Sequence, residues 1–415
     1  MLTLSPNTVL RNCPNLRVDL CAGTEVGITG RYGPTQCDIS VLSVLEIFAR
    51  PTTLQTGIEK LGERISGVRD WISLTGTITR LWKEGILVDH DGSTGGGQRL
   101  GGFDSPIVHA RMLNDRERTE CFIRAITQNV KAGDVVVDIG TGTGVLAMAA
   151  ARAGAEHVYA IEAGEMAGLA EKLIAENGYA SRITVVRNWS THVQLDRKAD
   201  LVVSEIVGND PLEEGILEVF RDARSRFLKE DGRMIPAMVK IFCLPVKVPA
   251  RLISRHTFSR STLAKWSEWY GFSFGTVDTN RMNRGQAFAA LPQRMRSWYS
   301  YTEPVLLAEL DLSRVTDTVL NQSAVAKIVR SGSFNAVQVF FELDVSETEI
   351  LTTDPAKAPN SNHWKNLVWL LDPPVIVKEG ESVEFGYRYR VPGANDGVTV
   401  RSSGGGEHSS SHSAK

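Results

Sequence analysis

Long hydrophobic runs are missing from this 415-residue chain. No stretch approaches the roughly 18 apolar residues of a membrane span, so no membrane partner is expected. The first residues, Met1 to Val18, lack the charged-then-apolar pattern of a secretory signal. Neither sign of charge is in excess: 46 Lys and Arg stand against 48 Asp and Glu, a formal charge of −2. A dedicated nucleic-acid binder would carry a basic footprint, so none is expected as a partner. Cysteine is scarce: the five residues Cys13, Cys21, Cys37, Cys121 and Cys243 are scattered and form no CxxC pair. A disulfide scaffold and a zinc cluster are poor fits to that pattern. Buried thiols in a reducing cytoplasm fit better, and no metal is expected.

The composition is that of an ordinary folded protein, 42% hydrophobic and 23% charged. The length suggests two or three domains, each able to bury a core. Residues 1–90 read as one small α+β unit. β-like runs at Leu16–Leu20 and Glu25–Ile28 lead into an amphipathic segment from Ile39 to Phe48, whose apolar positions recur at helical spacing. Two further helical segments follow, from Pro51 through Leu61 and from Leu74 to Trp82, before the β-like Ile86-Leu87-Val88. This order resembles a winged-helix module of the kind that recognises leader peptides on enzymes modifying ribosomally made peptides. The resemblance implies a precursor peptide as a partner. Residues 91–102 hold six glycines in twelve positions and read as a flexible linker. From Lys131 onward four apolar runs, at Val135, Val158, Ile183 and Leu201, alternate with helical segments, which is the signature of a parallel sheet. Beyond Pro236 β-rich runs dominate to Val391, and the Ser/Gly/His-rich tail, 402–415, is expected to be disordered.

Asp138-Ile139-Gly140-Thr141-Gly142-Thr143-Gly144 follows the first of these strands and precedes the helical run Val145–Arg152. Glycines at a strand-to-helix turn let a nucleotide approach the backbone closely. Glu162 ends the next strand, where a carboxylate can accept both ribose hydroxyls. A nicotinamide dinucleotide is the rival ligand, but the spacing is GxGxG rather than GxGxxG. Asp138 would also repel a pyrophosphate while attracting an amino-acid ammonium. S-adenosyl-L-methionine has the ribose and the ammonium and no phosphate, and is the expected cofactor. Strand four ends in Ser204-Glu205, and its loop runs on to Glu214. Two carboxylates nine residues apart, beyond the carboxyl end of a strand, suit a planar cationic acceptor such as a guanidinium.

With these residues in place the chain resembles the protein arginine methyltransferases over roughly Phe103 to Val391. Glu205 and Glu214 match that family's paired-glutamate loop. Met112-Leu113-Asn114-Asp115-Arg116-Glu117-Arg118-Thr119 resembles the helix that closes over the cofactor, and Asn362-His363-Trp364 resembles its Thr-His-Trp loop. The resemblance implies a Rossmann-like class I methyltransferase domain at 103–235 and a β-barrel domain at 236–395. A dimerisation arm at 250–272, carrying Trp266, Trp269 and Tyr270, implies a homodimer. It also implies that Arg118 holds the cofactor's carboxylate, with Asp138, Gly140, Gly142, Gly144, Glu162, Ala163, Ser190 and Thr191 completing the cofactor site. Glu205, Glu214 and the pair Asp115–His363 are then catalytic, and Trp364 contacts the substrate. The sequence departs from the family at Pro106, where tyrosine is usual, and at Ile206 and Val207, where Trp and Met are usual. The expected activity is methylation of arginine side chains in a peptide or protein. The alternatives are methylation of another side chain of a ribosomal peptide, and a catalytically silent cofactor-binding regulator.

Overall fold

The computed structural model describes residues 6–13, 16–20, 25–30, 33–62, 77–78, 80–82, 85–89, 106–164, 166–277, 287–391, 396–402 and 407–412. The chain divides into two compact units, Met1–Val108 and His109–Lys415. In the first, β1 (Val9–Asn12) pairs antiparallel with both β5 (Thr52–Thr53) and β6 (Leu87–Asp89). A separate antiparallel meander is formed by β2 (Arg17–Leu20), β3 (Glu25–Gly30) and β4 (Gly33–Asp38). Helix α1 (Val41–Ile47) turns Val41, Val44 and Leu45 inward, and α2 (Leu54–Gly62) adds Leu61. The i, i+3, i+4 spacing of those side chains puts them on one face, against Leu10, Ile28, Phe48 and Trp82. The expected third helix is described only at 77–78 and 80–82, which are helical. The glycine-rich linker 91–102 and Phe103-Asp104-Ser105 lie outside the described residues.

Helix α3 (Pro106–Asn114) spans the boundary between the units, and the second unit continues with α4 (Arg116–Asn129). Then come β7 (Val135–Ile139), α5 (Val145–Ala153), β8 (His157–Glu162), α6 (Met166–Glu176), β9 (Ile183–Arg187), β10 (Ala199–Ser204), α7 (Ile216–Arg226) and β11 (Leu228–Ile235). The five strands form a parallel sheet in the order β11-β10-β7-β8-β9. Strand β7 is buried along its whole length, as a strand covered by helices on both faces must be. Sequence order reverses between β7 and β10, which lie side by side with Ser204 opposite Ile139. The turn after β7 and the loop after β10 therefore emerge together at the switch point, where open α/β sheets bind ligands.

From β12 (Met238–Lys247) onward the strands are antiparallel. Seven of them, β12, β13 (Ala287–Ala290), β14 (Tyr299–Ser300), β15 (Val305–Asp311), β17 (Gly332–Asp344), β18 (Ile350–Thr352) and β19 (Asn366–Val377), make one sheet. The other holds β16 (Leu320–Lys327), β20 (Ser382–Tyr389), β21 (Asp396–Ser402) and β22 (Glu407–His412). The expected arm 250–272 contains two helices, α8 (Ala250–His256) and α9 (Arg260–Tyr270). One hydrophobic core runs from the parallel sheet into the antiparallel ones, so the two expected domains form a single compact unit. The tail also departs from expectation. Glu407–His412 is a strand, pairing with β21 from Arg401↔Glu407 to Asp396↔His412. Strand addition needs only the unpaired backbone groups of an edge, so a tail without apolar residues can supply it. No helix among the described residues is long and apolar enough to cross a membrane.

Phe220 on α7 is fully buried in the shared core. Replacing it by Ala should cost about 3–5 kcal/mol through lost burial and the cavity left behind. A denaturant titration checks this, with the midpoint moving down at unchanged slope.

Candidate active site

The glycine-rich turn is built to be approached. Gly142 has φ +55°, and a Cβ there would stand 2.8 Å from Cε1 of His109, so only glycine fits without displacing that ring. Glu162 at the end of β8 fixes the turn from below. Its Oε2 accepts the Gly142 N–H at 2.8 Å and its Oε1 accepts the Gly164 N–H at 2.8 Å. Asp138 is buried, with Oδ2 accepting the Thr141 hydroxyl at 2.5 Å and Oδ1 without a hydrogen-bond partner. Burial pushes its carboxyl up to about 7, against the opposing hydrogen bond from Thr141. A buried carboxylate with an unsatisfied oxygen asks for a donor or a cation. The cavity above the turn is lined by His109, Met112, Arg118, Gly140, Thr143 and Glu205, among others.

Helix α4 begins at Asp115, whose Oδ1 accepts the Arg118 N–H at 3.3 Å as an N-cap. Its Oδ2 accepts both the backbone N–H of His363, at 3.0 Å, and the Nδ1–H, at 2.9 Å. Burial would raise the Asp115 carboxyl, but the His363 and Arg118 hydrogen bonds outweigh it and hold the carboxyl below its usual range. His363 Nε2 is left to accept from Arg118 Nη1, 3.3 Å away. The same Nη1 makes an ion pair with Glu205 Oε2 at 3.0 Å, and both side chains are only 8% exposed. The Arg118 guanidinium also lies 5.4 Å from the ring centre of Trp364. Arg118 Nε and Glu205 Oε1 remain without hydrogen-bond partners.

Burial pushes Glu205 up to about 7, with Arg118 pulling the other way. Glu214 is pushed up to about 8, by burial first and then by the charge of Glu205. Two carboxylates thus share a site in which Arg118 compensates one of them. The loop between them is tied to the antiparallel sheets. Trp364 Nε1 donates to Val207 O at 2.8 Å, and the Lys365 N–H donates to Asn209 Oδ1 at 2.8 Å. The Tyr387 hydroxyl bonds the Asp210 carboxylate, and the Tyr389 hydroxyl donates to Leu212 O at 2.8 Å. Ion pairing between Arg390 and Glu218 holds the start of the following helix.

The structure thus gathers Asp115, Arg118, Asp138, Gly140, Gly142, Glu162, Glu205 and His363 around the switch point. Gly144, at φ +81°, caps α5, and Ala163 sits between the two N–H contacts of Glu162. Ser190 and Thr191 do not line the cavity. Both lie in a short 3-10 turn, Ser190 giving its carbonyl to Arg226 and Thr191 exposed. Trp364 is buried, and its visible contacts hold the glutamate loop and stack near Arg118. Sequence reasoning missed as cavity walls Met112, the first residue of the stretch that resembles the closing helix, and His109, three residues before it. It also missed Tyr387 and Tyr389, 177 residues from their partners, for which no local signal exists.

A Rossmann-like sheet with this site at its switch point, joined to antiparallel sheets that hold one of its loops, defines a class I methyltransferase architecture. Residues 115–271 match the family model "Ribosomal protein L11 methyltransferase (PrmA)", and residues 247–390 match "Arginine methyltransferase oligomerization subdomain". The chain is 33% identical over 285 residues to the arginine N(omega)-methyltransferase of Streptomyces achromogenes subsp. streptozoticus, covering 67% of this chain and 74% of that one. It is 31% identical over 295 residues to protein arginine N-methyltransferase 6 of Danio rerio, covering 68% and 81%. The Trypanosoma brucei PRMT1 enzyme–prozyme heterotetrameric complex with AdoHcy superimposes with a TM-score of 0.61 at 25% identity, covering 71% of this chain and 91% of that one. The chain belongs to the protein arginine methyltransferase family, and its cofactor is S-adenosylmethionine. The donor set fits that molecule: among the described residues Asp138 Oδ1 and Arg118 Nε are buried atoms in want of an ammonium and a carboxylate, beside a glycine turn that the His109 ring approaches.

Glu162 is the sharpest test of that fit, because its carboxylate steadies the turn through Gly142 and the loop after β8 through Gly164. Losing hydrogen bonds to a charged group costs about 1.5–3 kcal/mol. Calorimetry of Glu162→Ala should therefore show cofactor binding weakened about tenfold to hundredfold.

Proposed function

We propose that this enzyme methylates the guanidinium of an arginine side chain in a peptide or protein. The observation that carries the reading is the pair Glu205 and Glu214, two carboxyls raised by burial and close enough for the charge of Glu205 to raise Glu214, with Arg118 the ion-pair partner of Glu205. A second guanidinium is the group that would compensate the pair. It is planar, permanently charged and able to bond two carboxylates at once. When bound, the sulfonium of the cofactor supplies an electrophilic methyl group. Asp138, Arg118 and Glu162 bind and orient the donor, while Glu205 and Glu214 fix the acceptor. Drawing positive charge toward the carboxylates leaves one guanidinium nitrogen free to attack. Methylation of that nitrogen would release one N–H proton, which Glu214, its carboxyl raised by burial to about 8, would take. The pair Asp115–His363 holds Arg118 in position.

A silent cofactor-binding regulator has no use for the full set of Asp138, Glu162, Arg118, Glu205 and Glu214. An acceptor without charge would leave the two glutamates uncompensated. The amino-terminal unit lies outside both family matches, and we assign peptide recruitment to it. The enzyme acts in the cytoplasm as a homodimer. Trp269, Tyr270 and Phe272 at the end of the arm are 63%, 59% and 70% exposed, the aromatic surface a partner would cover.

Changing Glu205 or Glu214 to Gln keeps the size and removes the charge. Turnover should fall by roughly 10²–10³, the scale of losing one preorganised electrostatic contact, with cofactor affinity nearly intact. Labelled cofactor and mass spectrometry read this on arginine peptides and on free arginine, locating the methylated nitrogen. The cation needs both glutamates ionised, so kcat/KM for the acceptor should rise as pH climbs through about 7 and about 8, then level off. Glu214→Gln should remove the upper step. A Gln variant keeping more than about a tenth of turnover would end the guanidinium reading.

Deleting Leu252 to Tyr270 should give monomers by sedimentation and lower activity. A truncated protein that stays dimeric and fully active would move the interface elsewhere.

A further inference from the structure

The loop that carries Glu205 and Glu214 has one contact that its neighbours do not explain. Asp210, midway along it, points its carboxylate at the hydroxyl of Tyr387, which donates to Oδ1 at 2.8 Å with Oδ2 2.9 Å away. Oδ1 also accepts the Leu212 N–H at 3.1 Å, so the same carboxylate ties the loop to itself and to β20. Two residues further along β20, and therefore on the same face, Tyr389 donates to Leu212 O at 2.8 Å. Both rings are nearly inaccessible to solvent, at 1% and 5% exposed, so they form a fixed wall. The other two anchors, Trp364 on Val207 and Lys365 on Asn209, hold the half of the loop nearer Glu205. In the half leading to Glu214, the two tyrosines are the side chains of β20 that hold the loop, beside its internal hydrogen bonds from Asn209 to Glu213, from Glu213 to Asp210 and from Gly215 to Leu212.

We propose that Tyr387 is a positioning residue, whose hydroxyl on Asp210 sets where Glu214 stands relative to Glu205 and so determines the fit of the acceptor. The inference rests on the reading of that glutamate pair as the acceptor site. Burial and the Asp210 charge raise the Tyr387 hydroxyl well above its ordinary value, so the proton stays on the tyrosine. Asp210 is pushed up only to about 6, by burial, against hydrogen bonds from Leu212 and Tyr387, and is ionised at neutral pH. The contact is therefore a charge-assisted hydrogen bond, shorter and stronger than a neutral one. A displacement of about 1 Å in a catalytic group can cost about 10²-fold in rate, and this is the contact through which the antiparallel sheets would control that displacement.

Tyr387→Phe removes the hydroxyl and keeps the ring. It should lower kcat roughly 10–100-fold and raise the acceptor KM, while cofactor affinity measured by calorimetry stays at the wild-type value. Hydrogen exchange should quicken over residues 205–215 and remain unchanged in β7, β8 and β10, which also shows that the variant is folded. Asp210→Ala, which cuts the same bond from the loop side, should reproduce both effects if the tyrosine variant does not fold. Asp210→Asn still offers a carbonyl oxygen to Tyr387 and should keep most of the turnover. Wild-type kcat and wild-type loop exchange in Tyr387→Phe or Asp210→Ala would overturn the proposal, as would an Asp210→Asn variant no better than Asp210→Ala. The exchange measurement needs no acceptor. If the wild-type enzyme fails to methylate arginine, that reading fails while the loop restraint is still tested.

Discussion

Arg118 and Glu205 form an ion pair at 3.0 Å with each side chain 8% exposed, and the architecture of the site follows from keeping it buried. A buried ion pair is stable only if its remaining valences are met, because desolvation offsets most of its attraction. The partners that meet them come from distant parts of the chain. Asp115 caps the helix that delivers Arg118 and grips His363 by two hydrogen bonds. His363 in turn accepts from the same guanidinium nitrogen. Trp364 lies under the guanidinium and reaches Val207 in the glutamate loop. Helix α4, the loop after β10 and the loop before β19 are thereby locked around one charge. What the protein leaves unmatched is as informative. Among the described residues Arg118 Nε, Glu205 Oε1 and Asp138 Oδ1 have no hydrogen-bond partners, in a site where Asp115 and His363 are satisfied.

The sheet order explains why these groups can meet. In a parallel sheet every strand sends its loop out at the same end, and neighbours β7 and β10 emerge on either side of the switch point. The turn after β7 carries glycines where a side chain would meet its neighbours, and the loop after β10 carries the two carboxyls. Those carboxyls repel each other, and the loop's own hydrogen bonds are supplemented from outside. The antiparallel sheets supply that restraint, through indole, backbone and phenol donors from the loop before β19 and from β20. This accounts for a single core that runs through both halves of the unit.

What could be read in the sequence was whatever is encoded at short range. The GxGxG turn, the acidic end of β8 and the nine-residue spacing from Glu205 to Glu214 are local patterns, and each lies where strand alternation placed it. Alternating apolar runs also located β7 to β10 before any contact was known. The unreadable part was long-range. Nothing near Asp210 marks Tyr387 as its partner, and nothing near Gly142 marks His109 as the ring that fills its missing Cβ. Ser190 and Thr191 were expected from the family resemblance, and here they stand in a short 3-10 turn, Ser190 buried and Thr191 exposed. The tail failed for a different reason. Composition reports whether a segment can bury side chains, whereas β22 is held by backbone pairing to β21.

The surplus of carboxylates has a thermodynamic consequence that ties stability to ligand binding. Asp138, Glu205 and Glu214 are raised by burial to about 7, about 7 and about 8, above the ordinary values they would recover on unfolding. Between the ordinary carboxyl range and those values the folded protein holds protons that the unfolded chain has released. Stability from these groups is therefore complete only below the ordinary carboxyl range, falls steadily as pH rises from there, and is fully lost above about 7 and 8. Activity needs the opposite state, because a cationic acceptor and a cofactor ammonium are attracted only to the ionised forms. The site is consequently least comfortable, when empty, at the pH where it is most competent. Binding of the two cations relieves the same repulsion that weakens the empty fold, so part of the ligand affinity is stored as strain in the resting charge distribution.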